Sequence, residues 1–212
     1  MEQASREIVL MINTIVFDIG NVLVDFDYLP YVHNLLQNEE AVRRVNNAIW
    51  LTGCWNDLDR GEDTDEVVQR MLEAEPGYKE EILLTFERVG ECITLMDYAI
   101  PWIQELKQRG YRVLYLSNYS RHTMDVNREA LRFLPLMDGG VFSCDIGCIK
   151  PDARMYETLC RNYALDPACC VFLDDMEANV QAAAEYGMQT IQFQNYEQAK
   201  TELEALLAEK HA

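Results

Sequence analysis

Basic side chains are scarce in this sequence, with 18 Lys and Arg against 36 Asp and Glu, a formal net charge of −18. No stretch gathers the few cations into a patch. Such a field repels phosphate backbones and anionic lipid headgroups, so neither nucleic acid nor a membrane surface is an expected partner. A small phosphorylated metabolite stays open, because one bound divalent cation and one Lys reverse the sign locally. Long apolar runs are also missing: none approaches the ~20 residues that a bilayer span needs. Met1 to Ser5 lacks the basic region, apolar stretch and small-residue cleavage site of a secretory signal, so the expected setting is cytoplasmic. The seven Cys are an odd number without framework spacing; Cys144 and Cys148 are separated by three residues, and Cys169 and Cys170 are adjacent. Reduced, mostly buried thiols are expected, not disulfides or a zinc site. Internal repeats and low-complexity tracts are absent, and the acidic runs read as solvated helix faces.

What is present is enough for a core. The 212 residues, 49% of them hydrophobic, suit one domain or one core domain with a modest insertion. Ile12 to Phe17 is a short apolar, β-branched run of the kind found in strands buried on both faces. Tyr111 to Leu116, Cys169 to Leu173 and Gln189 to Phe193 look alike, and Gly139 to Phe142 starts another, shorter run. Helical patterns separate them: Pro101 to Arg109 closing on Gly110, Asp152 to Tyr163 after Pro151, Met176 to Tyr186 ending at Gly187, and Asn195 to Lys210. Strands alternating with helices predict an α/β fold with a Rossmann-like parallel sheet.

One interval breaks the alternation. From about Leu29 to Thr94 the patterns are all helical: Tyr31–Gln37, Glu40–Trp50, Thr64–Glu75 and Tyr78–Val89, with Thr64 as N-cap. Gly61 and the Pro76-Gly77 pair punctuate it. The expected organisation is therefore an α/β core from residues 1–28 and 95–212, with an all-helical cap, residues 29–94, inserted after the first strand.

In an open parallel sheet, ligands bind beyond the carboxyl ends of the strands. The runs deliver Asp18, then Ser117 and Asn118, then Asp174 and Asp175 to those ends, and Lys150-Pro151 precedes a helix downstream of Phe142. Taken singly, each has an ordinary explanation as a cap or a solvated charge. Together they form a crevice with carboxylates, a hydroxyl, an amide and an ammonium. Carboxylates so crowded call for a hard divalent cation, and Mg²⁺ suits oxygen ligands plus a substrate phosphate. No His or Cys stands at these strand ends, which argues against zinc. Such a set suits phosphoryl transfer, with a carboxylate as nucleophile.

Four segments now resemble the ordered motifs of the haloacid dehalogenase superfamily: Phe17-Asp18-Ile19-Gly20-Asn21-Val22-Leu23, Leu114-Tyr115-Leu116-Ser117-Asn118, Lys150-Pro151, and Val171-Phe172-Leu173-Asp174-Asp175. The resemblance covers nearly the whole chain. It implies Asp18 as nucleophile and metal ligand, the Gly20 carbonyl and Asp175 as further metal ligands, and Asp174 as their support. It also implies Ser117 and Asn118 as holders of the phosphoryl group, and Lys150 as the link between nucleophile and phosphate. Gly20 departs from the pattern, since most phosphatases of the superfamily carry there a second Asp as general acid/base, a group worth about 10²–10⁴ in rate. The Asp-x-Gly-Asn-Val spelling resembles a branch of sugar-phosphate phosphatases with α-glucose 1-phosphate among their substrates. The implied activity is a Mg²⁺-dependent phosphatase acting on a small, sugar-like monoester through an aspartyl-phosphate. The alternative is a catalytically weak metal- and phosphate-binding regulatory protein. A metal-free 2-haloacid dehalogenase has no use for the Asp174-Asp175 pair. Nearby acids able to replace the missing one are Asp25 and Asp27. In the cap, His33, Arg43, Arg44, Trp50, Trp55 and Arg60 are the candidates for substrate choice, with Arg60 foremost because it precedes Gly61 in a loop.

Overall fold

The computed structural model describes residues 11–208. The expectations for Met1 to Ser5 and for the end of the last helix at Lys210 lie outside the described residues. The chain runs β1 (Thr14–Phe17), β2 (Val24–Phe26), α1 (Tyr28–Leu36), α2 (Glu39–Asn46), α3 (Cys54–Asp59), α4 (Thr64–Ala74), α5 (Lys79–Glu87) and β3 (Ile93–Leu95). It continues through α6 (Ala99–Gln108), β4 (Arg112–Ser117), α7 (Arg121–Val126), β5 (Gly139–Phe142), α8 (Ala153–Tyr163), β6 (Cys170–Asp174), α9 (Glu177–Glu185), β7 (Gln189–Gln192) and α10 (Tyr196–Ala208).

Five strands form a parallel sheet in the order β5-β4-β1-β6-β7. This is the α/β fold that the apolar runs predict. Strand β1 is central and buried along its whole length. Its side chains alternate between two layers, as the period of two in a strand requires. Ile15 and Phe17 belong to the cluster holding Trp102, Ile103 and Leu106 of α6 and Leu203 and Leu207 of α10. Val16 belongs to the cluster of Met155, Tyr156 and Leu159 of α8 and Ala183 of α9. Trp102 meets Phe17 edge-on, with ring centroids 4.9 Å apart. Among the described residues, no helix is long and apolar enough to cross a membrane. All seven Cys are free, and six of them are buried.

Flanking the run of helices is an element the sequence pattern did not suggest. Strands β2 and β3 pair antiparallel, Val24 with Leu95 and Phe26 with Ile93. Three-residue strands are too short for alternation to announce them, and only the meeting of two segments some seventy positions apart in the sequence makes them visible. This ribbon carries the chain into helices α1–α5 and out again. The segment expected as one helix from Glu40 to Trp50 is α2 followed by a π-helical turn, Asn47–Leu51. Thr64 is not a cap. The Asp63 carboxylate accepts from Glu66 N at 3.1 Å, so Asp63 caps α4 and Thr64 opens the helix.

Candidate active site

The carboxyl ends of β1, β4 and β6 stand side by side, because Phe17 is in register with both Tyr115 and Leu173. Asp18 N donates to Leu173 O at 2.8 Å, which fixes the residue just past the strand. No helix follows Asp18. Its Oδ1 accepts from Ile19 N at 2.7 Å and faces Lys150 Nζ at 2.8 Å. Oδ2 takes no hydrogen bond among the described residues, so one oxygen is anchored and the other is free to react. Lys150 is fully buried and also meets Asp174 Oδ2 at 2.6 Å. Asp174 is itself fully buried and saturated: Met176 N donates to Oδ1, and the Asn179 amide reaches both oxygens at 3.0 and 3.1 Å. Asp175, half-buried, accepts from Asn21 Nδ2 at 3.1 Å.

Electrostatics follow from this packing. Burial pushes the Asp18 carboxyl up to about 7, opposed by the Lys150 ammonium and reinforced by Asp174. Burial would lower the pKa of Lys150, but Asp18 and Asp174 outweigh it and the ammonium ends above its ordinary value. Burial also raises Asp175, against the hydrogen bond from Asn21.

Ser117 and Asn118 do not cap the helix that follows them; Ser120 does, with Oγ accepting from Thr123 N at 3.1 Å. Ser117 Oγ is buried and has no partner, an unusual state for a hydroxyl. Asn118 is engaged: Oδ1 accepts from Lys150 N at 2.7 Å, and Nδ2 donates to Lys150 O at 3.1 Å. Its amide thus fastens the backbone that carries the lysine, ahead of a cis Lys150-Pro151 bond.

The model of the haloacid dehalogenase-like hydrolase family matches residues 12–187, a span that holds every one of these side chains. The chain belongs to this family. It is 30% identical to acyl-CoA dehydrogenase family member 10 of Mus musculus, over 91% of this chain and only 19% of that longer protein. It is 27% identical to the sesquiterpene phosphatase astK of Aspergillus oryzae, over 82% of this chain and 85% of that one. A haloacid dehalogenase-family enzyme of Bacteroides thetaiotaomicron, solved with magnesium and inorganic phosphate, shares its fold. There the TM-score is 0.67 at 19% identity, covering 85% of this chain and 93% of the other.

The family's hard divalent cation fits the residues present. Asp18, Asp174 and Asp175 each offer a carboxylate oxygen within 4.8 Å of the others. All the donors are hard oxygens, the set Mg²⁺ prefers. With both its oxygens hydrogen-bonded, Asp174 suits support through water better than direct ligation.

Beside this hydrolase centre lies a cavity of about 80 Å³. Val24, Phe26, Trp55, Ile93 and Tyr119 make most of its wall, and Gly20, Asn118, Thr123 and Asp59 complete it. Among the cap candidates, Trp55 reaches the cavity, stacked on Trp50 at 4.5 Å. Arg60 does not line it; its guanidinium turns to Asp57 at 3.1 Å. His33 pairs with Glu39, and Arg43 and Arg44 with Glu40. Asp25 and Asp27 are exposed and away from the wall. Sequence reasoning missed Asn179, Asn21 and Asp59. Asn179 lies on α9 five positions after Asp174, which ends β6, so no helix-face spacing links the two and the sequence carries no such signal.

Proposed function

We propose that the chain is a Mg²⁺-dependent phosphatase that hydrolyses a small phosphate monoester through an aspartyl-phosphate on Asp18. The observation that carries this reading is the Lys150 clamp, which anchors one oxygen of Asp18 and leaves the other free, with the unpartnered Ser117 hydroxyl at the end of the adjacent strand β4. Asp18, Asp175 and the Gly20 carbonyl would hold the cation, with Asp174 behind them. When bound, the cation neutralises phosphoryl oxygens and brings the ester in line. Ser117 Oγ donates to the phosphoryl group and so gains the partner it lacks. Lys150 screens Asp18 from the incoming dianion, and Asn118 holds Lys150 in place while keeping one N–H for substrate.

Residues 29–94 act as the cap and residues 1–28 and 95–212 as the catalytic core. The substrate's alcohol occupies the cavity between Gly20 and Trp55. A sugar phosphate is what the Asp-x-Gly-Asn-Val resemblance implies. The wall of Phe26, Trp55, Ile93 and Tyr119 favours a second class, an ester of an apolar alcohol, and the relative named a sesquiterpene phosphatase supports including it.

The test is phosphate release from a panel of sugar 1-phosphates, alditol phosphates and prenyl phosphates, with Mg²⁺ and then with EDTA. Release that stops with EDTA and is lost in Asp18→Asn is the expected result. Magnesium binding without release from any ester would transfer the reading to a regulatory binding protein.

A further inference from the structure

Gly20 leaves the reaction without the acid that most phosphatases of the superfamily carry at this position. A Cβ built there would meet nothing within 4 Å, so the missing side chain leaves open space. Across that cavity stands Asp59, the last residue of α3, only 6% exposed. Its carboxylate takes no hydrogen bond and no ion pair among the described residues. A buried carboxylate without a partner is costly, and it persists where it has work to do.

Its position is held from the other side of the cleft. Ser143 Oγ donates to Asp59 O at 2.5 Å and accepts from Tyr119 N at 3.0 Å, tying the end of α3 to the end of β4. Gly61 tightens the join: its φ is +79°, and a Cβ would come within 2.4 Å of Cys144 O. Only glycine allows both that backbone and that approach. The neighbouring Asp57 shows the contrast, since it pairs with Arg60 and Arg70, both at 3.1 Å.

We propose that Asp59 is the general acid/base of this enzyme, supplied by the inserted helices in place of the residue absent at Gly20. The proposal rests on the phosphatase reading above. Asp18 Oδ2 attacks phosphorus, the ester P–O bond breaks, and its electron pair leaves on the alcohol oxygen. Asp59 gives its proton to that oxygen, so a neutral alcohol departs and Asp59 becomes a carboxylate. Water then attacks the phosphorus of the aspartyl-phosphate while Asp59 takes its proton. The bond to Asp18 breaks with its electron pair returning to the carboxylate, phosphate leaves, and Asp59 is protonated again. Burial lifts the Asp59 carboxyl to about 7, with Asp18 raising it further and Lys150 and Arg60 opposing; the phenol of Tyr119 also faces it.

Two esters of different leaving groups separate this role from a structural one. Benzyl phosphate needs its leaving oxygen protonated, whereas p-nitrophenyl phosphate releases a stable phenolate unaided. Read as kcat/KM, which ends at cleavage of the ester, Asp59→Asn should lose about 10²–10⁴-fold on benzyl phosphate and less than about tenfold on p-nitrophenyl phosphate, while kcat falls on both because the aspartyl-phosphate they share needs the base. Gly20→Asp added to Asp59→Asn should recover part of the benzyl rate, because the open space accepts the new side chain. In metal-free protein, carboxyl ¹³C NMR should show one signal titrating well above pH 5 that is missing from Asp59→Asn. Equal loss of kcat/KM on both esters, unrepaired by Gly20→Asp, would make Asp59 structural and overturn the proposal. So would an unchanged benzyl rate, an Asp59 signal titrating near pH 4, or native enzyme cleaving only p-nitrophenyl phosphate; each leaves the phosphatase reading intact. Native protein that releases phosphate from neither ester brings down both.

Discussion

The two walls of the cleft are built on opposite principles. On the sheet side the charges are tied down: Lys150 joins Asp18 to Asp174, Asn179 and Met176 N complete Asp174, Asn21 donates to Asp175, and Asn118 grips the backbone of Lys150. These groups stand at the ends of three buried strands that cannot shift independently. On the side of the inserted helices the surface is aromatic and aliphatic, with Phe26, Trp50 and Trp55 packed together and Asp59 a carboxyl of the cavity wall that has no partner among the described residues. The difference teaches a division of labour. A pre-organised electrostatic site needs a rigid frame with fixed dipoles. Recognition of an alcohol needs a surface whose shape can vary, and apolar contacts tolerate variation better than a hydrogen-bonded network does.

Removing the reactive oxygen from the sheet side should break the comparison most severely. Asp18→Asn is expected to lower kcat by at least about 10³-fold while leaving the fold intact, checked by phosphate release and circular dichroism. Lys150→Met comes next. It leaves two buried carboxylates facing each other, and unpairing a buried ion of this kind costs about 3–5 kcal/mol, read as a fall in urea midpoint at pH 8.

Asp59→Asn should move stability the other way. The folded protein holds a proton on Asp59 up to about pH 7, whereas an unfolded Asp releases it near its ordinary value of 3.8. The folded state therefore binds more protons over that interval, and native stability falls as pH rises through it. The variant lacks this penalty, so it should gain on the order of 4 kcal/mol over native at pH 8, about three pH units at ~1.4 kcal/mol each. That gain should shrink toward zero below pH 4, as paired thermal melts would show. Trp55→Phe sharpens the contrast with the smallest effect, a rise in KM of about fivefold for benzyl phosphate at unchanged kcat, because it trims one contact of ~1 kcal/mol.

Much of the sheet side was legible in the chain. Asp18, Ser117 and Asp174 each end or directly follow a short apolar run, and a parallel sheet aligns such ends whatever lies between them. The partner of each was less legible. Asn118 reads as a ligand for phosphate, yet its amide oxygen and one N–H are spent on Lys150, thirty-two positions away. On the helical side the reading selected Arg60 and missed the residue before it. Asp57 and Asp59 are both acids on one short helix, and no local pattern distinguishes the one that pairs with Arg60 and Arg70 from the one that stays alone.

The amino-acid order by itself determined the α/β alternation, the run of helices after the first strand and the strand ends that carry the carboxylates, because periodicity and turn residues act over a few positions. The β2–β3 ribbon, the grip of Asn118 on Lys150, the orphaned Ser117 hydroxyl and the isolation of Asp59 were decided only by tertiary structure. Burial, and the presence or absence of a partner, depend on which distant segments pack together, and that is a property no local stretch of chain contains.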